Sequence, residues 1–394
     1  MRTAVIGAGI IGLATATELD RRGHDVVAID PEPANGASRA AAGMLAAAAE
    51  AAWGQDDLLP LARASAALYP AFVATLETAG GRDVGYRMSG TLAVGADAAD
   101  RAALFELGEL QSAHGVPVQR LTGSAARDLE PALGPAVTSA VLAAEDHSID
   151  PRRVTAALRE ILGERLREER VCHVVRRDGR VTGIRLTTGE EIDADVVIAA
   201  AGLGIAGIDG LPALPLRPVW GDILRLRVPV ALRPLLTRTV RAQVRGRPVY
   251  VVPRDDGTVV LGASVREGGV AGVQAGSVLA LLRDAETVLP GISECEIVEM
   301  LARPRPATPD ALPLLGTVEP GLVISTGYDR HGVLLAPLAA RLGADLAEGL
   351  PIDPVTAAAV DPLRFSSDVR TRRAFADLTP PAVAELAGAG QKGR

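Results

Sequence analysis

Three glycines and one carboxylate carry the first chemistry the chain offers. Gly7, Gly9 and Gly12 follow the apolar run Thr3–Ile6, and a second apolar run, Val26–Ile29, ends at Asp30. Gly7 and Gly9 let a backbone turn tightly and approach a diphosphate, and Gly12 lets the helix that opens with Ile10 and Ile11 lie close to the preceding strand. The start of that helix presents unpaired N–H groups and partial positive charge to phosphate oxygens. An acid about 20 residues past the glycines accepts from a ribose hydroxyl. Strand, glycines, helix, strand and acid, in that order, predict a dinucleotide site without choosing the dinucleotide.

Other reactive side chains are sparse. Cys172 and Cys295 are too far apart in sequence for a disulfide framework or a thiolate metal site, so no metal is expected. The five histidines are dispersed. At 394 residues and 48% hydrophobic, the chain has material for one large or two ordinary domains. Net charge is −7, lysine occurs only at Lys392, and the arginines form no basic tract, which argues against a nucleic-acid partner. The run Ala40–Ala52 contains Gly43 and Glu50 and is too short and too weakly apolar to span a bilayer. With residue 3 already in a strand, no leader is expected, and the cytoplasm is the expected compartment.

The elements that must position the glycines follow from periodicity. Leu13, Ala14, Thr17 and Leu19 give the first helix its apolar face, and Gly23 stops it. Small residues dominate Ala37–Leu45; composition alone favours a tightly packed alanine helix there. Helices are expected over 57–79 and 98–114, two short strands over Tyr86–Val94, and a strand over Pro135–Ala144. Asp150 and Pro151 read as the N-cap and first residue of a helix reaching about Leu166. Strands at Val171–Val175 and Val181–Leu186 are framed by turns at Asp178-Gly179 and Thr188-Gly189. A third strand, Ile192–Ala200, runs into Ala201-Gly202-Leu203-Gly204. Nucleotide-type elements thus recur after an interruption, which disfavours an ordinary nicotinamide dehydrogenase. Residues 219–300 read as an antiparallel sheet with one helix, Ser277–Leu289, on a face. Prolines between Arg303 and Pro313 exclude a helix. A helix striped with Leu335, Leu338, Leu342 and Leu346 must start near Gly332, because Pro337 is tolerable only in or near a first turn. Beyond Phe365 a polar tail is expected, with one short helix around Ala382–Ala387.

Four segments resemble the FAD-dependent D-amino-acid oxidase family, and within it the glycine oxidase branch of thiamine biosynthesis. They are the amino-terminal glycine motif, Ala37–Leu45, Arg305–Asp310 and Thr326–Pro337, and the likeness runs from Met1 to about Phe365. It implies an α/β flavoprotein. A Rossmann-like FAD-binding domain of glutathione-reductase type would be assembled from residues 1–80, 145–210 and 301–365. An antiparallel-sheet α+β substrate domain would come from 81–144 and 211–300, leaving 366–394 as a tail. FAD would be non-covalent, since no cysteine neighbours Arg305.

The resemblance also implies roles. Arg305 would grip a substrate carboxylate, which a planar guanidinium meets with two parallel bonds. Tyr250 would assist through its hydroxyl, with Arg330 nearby. Singly, the three are equally a solvated rim arginine, a core aromatic and a helix-start ion pair. Ser38, Ala42, Gly43 and Met44 would contact the cofactor, Ala201-Gly202 would form a second nucleotide-side turn, and Val171 would flank the adenine. Backbone N–H groups of Gly332, Val333 and Leu334, preceded by Arg330 and His331, would stabilise negative charge on the reduced flavin. The implied chemistry is hydride transfer from the Cα of a small amino acid or amine to flavin N5. It gives an imine that is hydrolysed or handed to a thiazole synthase, and O2 is reduced to peroxide. A homo-oligomer is implied as well. Three departures stand out: Asp30 replaces a common glutamate, Trp220 is expected to alter the pocket wall, and Pro248 replaces a residue that can be polar. Open alternatives are a D-amino-acid dehydrogenase or sarcosine-type secondary-amine oxidase of the same fold, and a flavin-binding subunit without turnover. Arg305 and Arg330 speak against the last.

Overall fold

The strand Arg2–Ile6 is buried from Thr3 onward, as a β-branched run flanked on both faces should be. It pairs in parallel with Asp25–Ile29 on one side and Val196–Ala199 on the other. The computed structural model describes residues 1–48, 57–268 and 270–365; the helix expected around 382–387 lies outside them. Six strands form this first sheet, in the order Leu314–Glu319, Leu322–Thr326, Val196–Ala199, Arg2–Ile6, Asp25–Ile29, Leu166–Arg167. All pairings are parallel except that of the outermost Leu314–Glu319, a strand with no counterpart in the sequence-based assignment.

The helices among the described residues are α1 (Ile10–Arg21), α2 (Ala37–Ala40), α3 (Leu58–Gly80), α4 (Ala98–Ala113), α5 (Gly123–Leu129), α6 (Pro151–Leu162), α7 (Ala275–Val288), α8 (Gly332–Ala347) and α9 (Pro354–Val360). Leu13 and Leu19 of α1, Leu61 and Tyr69 of α3, Leu158 of α6 and Leu335 of α8 share one core on one face of the sheet. Length and mean hydropathy alone would let α3 cross a bilayer, but its Leu58, Leu61, Tyr69, Val73 and Leu76 belong to this core. On the opposite face a three-stranded meander, Val171–Arg177, Arg180–Leu186 and Glu191–Asp193, buries Val174, Val181 and Ile184 against Ala4, Ile6 and Ile29.

Two expectations fail here for one reason. Ile192–Ala200 is not one strand: Glu191–Asp193 closes the meander, and Val196–Ala199 enters the six-stranded sheet. Ala37–Leu45 is not an alanine helix but the single turn α2, followed by Met44–Leu45 paired with His147–Ser148. In both stretches the chain passes from one layer to another, which an apolar run does not reveal. Asp150 does cap α6, accepting from the Arg152 N–H at 2.9 Å.

The second sheet has nine strands. Eight lie in the order Arg266–Glu267, Arg217–Arg227, Thr258–Gly262, Arg247–Pro253, Thr239–Val244, Thr91–Gly95, Ser139–Ala143, Gln119–Thr122, and Glu296–Ala307 pairs with Arg217–Arg227. It is not wholly antiparallel, because Thr239–Val244 runs parallel to Thr91–Gly95. The long excursion between those two strands supplies the crossover that a parallel pair needs. Only Thr91–Gly95 forms a strand within 86–94's neighbourhood; Arg87 makes a lone bridge to Ser148. Glu296–Ala307 crosses the domain boundary expected at residue 301 and carries Arg303 and Arg305 into this sheet. Its Pro304 and Pro306 are tolerated because the strand is an edge.

Alternation gives the sheet two different faces. Leu224, Leu226, Val251 and Leu261 pack against Leu281, Ala285 and Val288 of α7. Ile223, Val252 and Val260 face the other way and pack on Ala42. On the α7 side, fully buried Asp222 accepts from Arg266 Nε (2.9 Å) and Nη2 (3.1 Å), from Ser264 Oγ and from the Gln274 N–H (3.2 Å). Burial opposes its charge, but these hydrogen bonds hold the carboxyl below its ordinary value. Such a group stabilises the fold above that value and ceases to do so as pH falls through the folded one. Asp222→Ala should cost ~3–5 kcal/mol at pH 7, the typical cost of stranding one partner of a buried pair. Its stability difference from the parent should shrink as the pH falls below 3.8, the ordinary value. Urea unfolding at a series of pH values measures both; a midpoint unchanged at pH 7 contradicts the assignment.

Candidate active site

Close approach of backbone to backbone builds the site. A Cβ at Gly12 would overlap the Gly7 carbonyl oxygen, and one at Gly7 would lie 2.6 Å from the Ala201 Cα. The turn after Arg2–Ile6 and the turn after Val196–Ala199 therefore touch at the same edge of the parallel sheet. Gly9 is the N-cap of α1 and supplies no side chain, so the helix start has no cap from its own N-cap residue. Ser38 Oγ accepts from the Ile10 N–H at 3.0 Å. Asp30 accepts from the Ala8 N–H (2.7 Å) and the Glu32 N–H (2.8 Å), so its carboxylate also fixes the glycine turn.

Above that edge lies a cleft of about 450 Å³. It brings together most of the residues expected from sequence: Gly9, Ile10, Ile11, Asp30 and Ser38; Ala42, Gly43, Met44, Ala201 and Gly202; and Tyr250, Arg305, Arg330, Gly332 and Val333. Gly7 and Gly12 sit behind the turn and do not line it. Leu334 and His331 are buried at the start of α8 outside the lining, and Val171 belongs to the apolar cluster with Ala4, Ile6 and Ile29. Neither Cys172 nor Cys295 lines the cleft.

The second sheet forms the floor. Arg305 and Tyr250 lie on strands whose neighbours carry glycine. A Cβ at Gly221 would overlap the Arg305 guanidinium, and one at Gly262 would lie 2.5 Å from Tyr250 Oη. Each side chain thus crosses a neighbouring strand where that strand has no side chain of its own. Glycine inside a strand, here Gly221 and Gly262, is the sequence signal for such an approach. Arg303, two residues away, is committed: its fork donates to the Asn35 carbonyl (2.9 Å), Asn35 Oδ1 (3.2 Å) and the Ala302 carbonyl (3.0 Å). Arg305 makes no hydrogen bond or ion pair among the described residues and faces the cleft with its fork open.

Neighbouring contacts fix the wall. The Asp329 N–H donates to the Pro306 carbonyl (3.0 Å), tying the Arg330 turn to the Arg305 strand. Arg330 Nε donates to His331 Nε2 at 3.1 Å. Pro248 lines the cleft, as does Arg241, which stands opposite Tyr250 in register. Trp220 does not, contrary to expectation: alternation places it on the other face from Val219 and Gly221, which do line it. Sequence reasoning also missed Arg254, which is buried and donates through Nη2 to the Ala42 carbonyl at 2.5 Å. Burial pushes its pKa down to about 10, which leaves it cationic at neutral pH.

Paired glycine turns on a parallel sheet, with a cleft running to a second sheet, define a two-domain dinucleotide-binding protein. The chain belongs to the DAO family of FAD-dependent oxidoreductases, whose model matches residues 2–346. It is 34% identical over 363 residues to a bifunctional ThiO/ThiG protein of a Nostoc species, covering 89% of this chain but 53% of that protein, so the chain spans about half the length of that relative. It is 34% identical over 357 residues to a glycine oxidase of Geobacillus kaustophilus, covering 88% and 92%. The crystal structure of glycine oxidase from Geobacillus kaustophilus superposes with a TM-score of 0.83 at 32% identity, covering 92% of this chain and 99% of that one.

FAD is the cofactor, and the cleft fits it: a helix start whose N-cap, Gly9, carries no side chain, for the diphosphate, a carboxylate at the end of the second strand, and small residues at Ala42-Gly43 where a flat ring needs room. Gly12→Ala should strip the protein of FAD, because its Cβ would force α1 away from the turn that would hold the diphosphate. The ratio of flavin to protein absorbance after purification measures this; a fully loaded variant contradicts it.

Proposed function

We propose that this chain is a glycine-oxidase-like amino-acid oxidase acting on glycine or another small amino acid or amine. One observation carries the proposal. The open fork of Arg305 lies over Gly221 and the ring of Tyr250 over Gly262, and both line the same cleft as Ala42, Gly43 and Met44. The resemblance of the chain to glycine oxidases along most of their length supports it.

FAD, when bound, supplies a two-electron acceptor for a hydride from the substrate Cα and returns to the oxidised state with O2, yielding H2O2. The protein's own contribution is binding and orientation. Arg305 holds the substrate carboxylate in two parallel charge-assisted bonds. The Tyr250 hydroxyl, with Arg330 nearby, fixes the other end of the carboxylate's environment. Val219, Ile223 and Met44 of the lining keep water from the reacting carbon. No side chain needs to act as a base if the amine binds neutral.

The six-stranded-sheet unit then holds FAD. Gly7, Gly9, Gly12 and Ser38 serve the diphosphate, Asp30 the ribose, Val171 and Ala201-Gly202 the adenosine side, and Gly332, Val333 and Leu334 the flavin. The nine-stranded-sheet unit supplies the substrate wall. A thiazole synthase is the proposed recipient of the imine, since the Nostoc relative joins ThiO and ThiG in one protein.

The test is direct. The purified protein should be yellow and should form peroxide with one or more of glycine, sarcosine, D-alanine and D-proline. Bleaching by substrate under nitrogen without peroxide in air makes it a dehydrogenase, and a protein that takes up no FAD ends the proposal. Arg305→Ala should weaken apparent substrate affinity by ~1.5–3 kcal/mol, roughly tenfold or more, with FAD content unchanged. Gly221→Ala should do the same by displacing the guanidinium. Affinity retained in both variants removes Arg305 from the carboxylate site.

A further inference from the structure

Helix α8 contains a proline where a helix ordinarily does not tolerate one. Pro337 is the sixth residue of Gly332–Ala347, beyond the first turn where its sequence position is harmless. A residue there would donate its N–H to the carbonyl four residues back, that of Val333. Pro337 has no N–H to give, so the Val333 carbonyl lacks its rung. The first intact rung is Leu335 N–H to the His331 carbonyl, at 2.8 Å.

The missing donor comes from another helix. Tyr69 of α3 donates its hydroxyl to the Val333 carbonyl. One turn earlier on the same face of α3, Ser65 Oγ donates to the Leu334 carbonyl at 2.7 Å and accepts from the Leu338 N–H at 3.3 Å, bridging the adjacent rung. Both side chains are fully buried, Ser65 at 0% and Tyr69 at 1% exposure. Neither is needed for packing alone: an alanine and a phenylalanine would fill the space. The Tyr69 ring is held edge-on to Phe72 (centroids 5.8 Å apart) and stacked near Tyr86 (6.2 Å), so its hydroxyl is aimed by its surroundings.

We infer that Tyr69, which supplies the donor that Pro337 lacks, and Ser65, which bridges the next rung, are positioning residues that fix the first turn of α8, whose Gly332 and Val333 line the cleft. This rests on the proposal that the turn faces the flavin. In an unbroken helix each carbonyl is aimed by its own helix. Here the Val333 and Leu334 carbonyls are aimed by α3: the first shares its peptide plane with the Leu334 N–H, an open donor of the first turn, and the second with the Leu335 N–H that makes the first rung to His331. Open N–H groups of that turn favour the reduced, negatively charged flavin over the oxidised one. Burial raises the Tyr69 phenol well above its ordinary pKa, so the donor stays protonated at any working pH.

The test uses the FAD holoenzyme and two readouts besides turnover, the FAD dissociation constant and the flavin midpoint potential. Tyr69→Phe should weaken FAD binding about tenfold and lower the midpoint potential by about 30 mV, the equivalent of a tenfold change for a two-electron couple. The double variant Tyr69→Phe/Pro337→Ala gives position 337 an N–H for the Val333 carbonyl and should restore both values. A wild-type protein that takes up no FAD defeats the flavin proposal itself. Tyr69→Phe that changes thermal stability but neither readout, or a double variant that restores neither, overturns the positioning role alone. If Tyr69→Phe does not fold, Ser65→Ala is measured the same way, and unchanged affinity and potential overturn the inference.

Discussion

Everything in the cofactor half depends on one steric constraint: no side chain fits where Gly12 meets Gly7 and Gly7 meets Ala201. Two adjacent parallel strands, Arg2–Ile6 and Val196–Ala199, end at the same edge, and their following turns can touch only if the Cβ atoms are missing or small. Hydrogen bonds then lock the arrangement. The Gly7 N–H donates to Ile29 (2.8 Å), the Ala200 N–H to Ile6 (2.7 Å), and the Ala8 N–H to the Asp30 carboxylate. The start of α1 has no cap from its own N-cap residue, and the next strand over, Leu322–Thr326, leads through the Arg330 turn to the start of α8. Two helix starts are thereby directed toward one cleft from a single sheet edge, as ligand sites in parallel α/β sheets usually are.

The same device recurs across the cleft with a different purpose. Gly221 and Gly262 sit in strands that otherwise carry β-branched and long side chains. Their missing Cβ atoms make room for side chains, not for backbone: the Arg305 guanidinium and the Tyr250 ring lie over them. Alternation then divides the strand Arg217–Arg227 between duties. Asp222 and Leu224 serve the α7 side, while Gly221 and Ile223 serve the cleft. Asp222 and its bonds to Arg266, Ser264 and Gln274 hold the strand next to the residue that must stay bare.

Local signals were legible in the sequence, and long-range ones only where they left a local mark. The glycine turn, the Asp150 cap and the start of α8 at Gly332 depend on neighbours within a few residues, so pattern and spacing are enough. Arg305 was singled out from Arg303 through its motif, but the physical difference between them was not legible, because it is Asn35, which is remote in sequence. Trp220 was misplaced because a strand's facing depends on which residues its partners present. The run Ile192–Ala200 was misjudged because apolar character marks burial but not membership of a particular sheet. Pro337 marked the helix start near Gly332, where the helix does begin, but the donor that compensates for it, Tyr69, lies 264 residues from the Val333 carbonyl it serves and left no local mark.

Arginine chemistry in this cleft is decided by occupancy of the fork, not by the presence of the residue. Four guanidinium groups approach the ligand space through Arg241, Arg303, Arg305 and Arg330, and a fifth, Arg254, stands buried behind Ala42. Arg303 donates through Nε, Nη1 and Nη2 to oxygens of Asn35 and Ala302, so it joins the two units and its fork is held by the protein. Arg254 gives one bond to the Ala42 carbonyl and has Asp150 at 3.7 Å, so its charge bears on the cleft through the backbone it holds. Arg305 alone combines a place on the floor, a neighbouring strand without a Cβ, and a fork with no partner among the described residues. A carboxylate arriving there meets a cation that breaks no existing bond to receive it. Under the proposed function, reorganisation within the protein would then be small, and the attraction would go into binding and aligning the substrate.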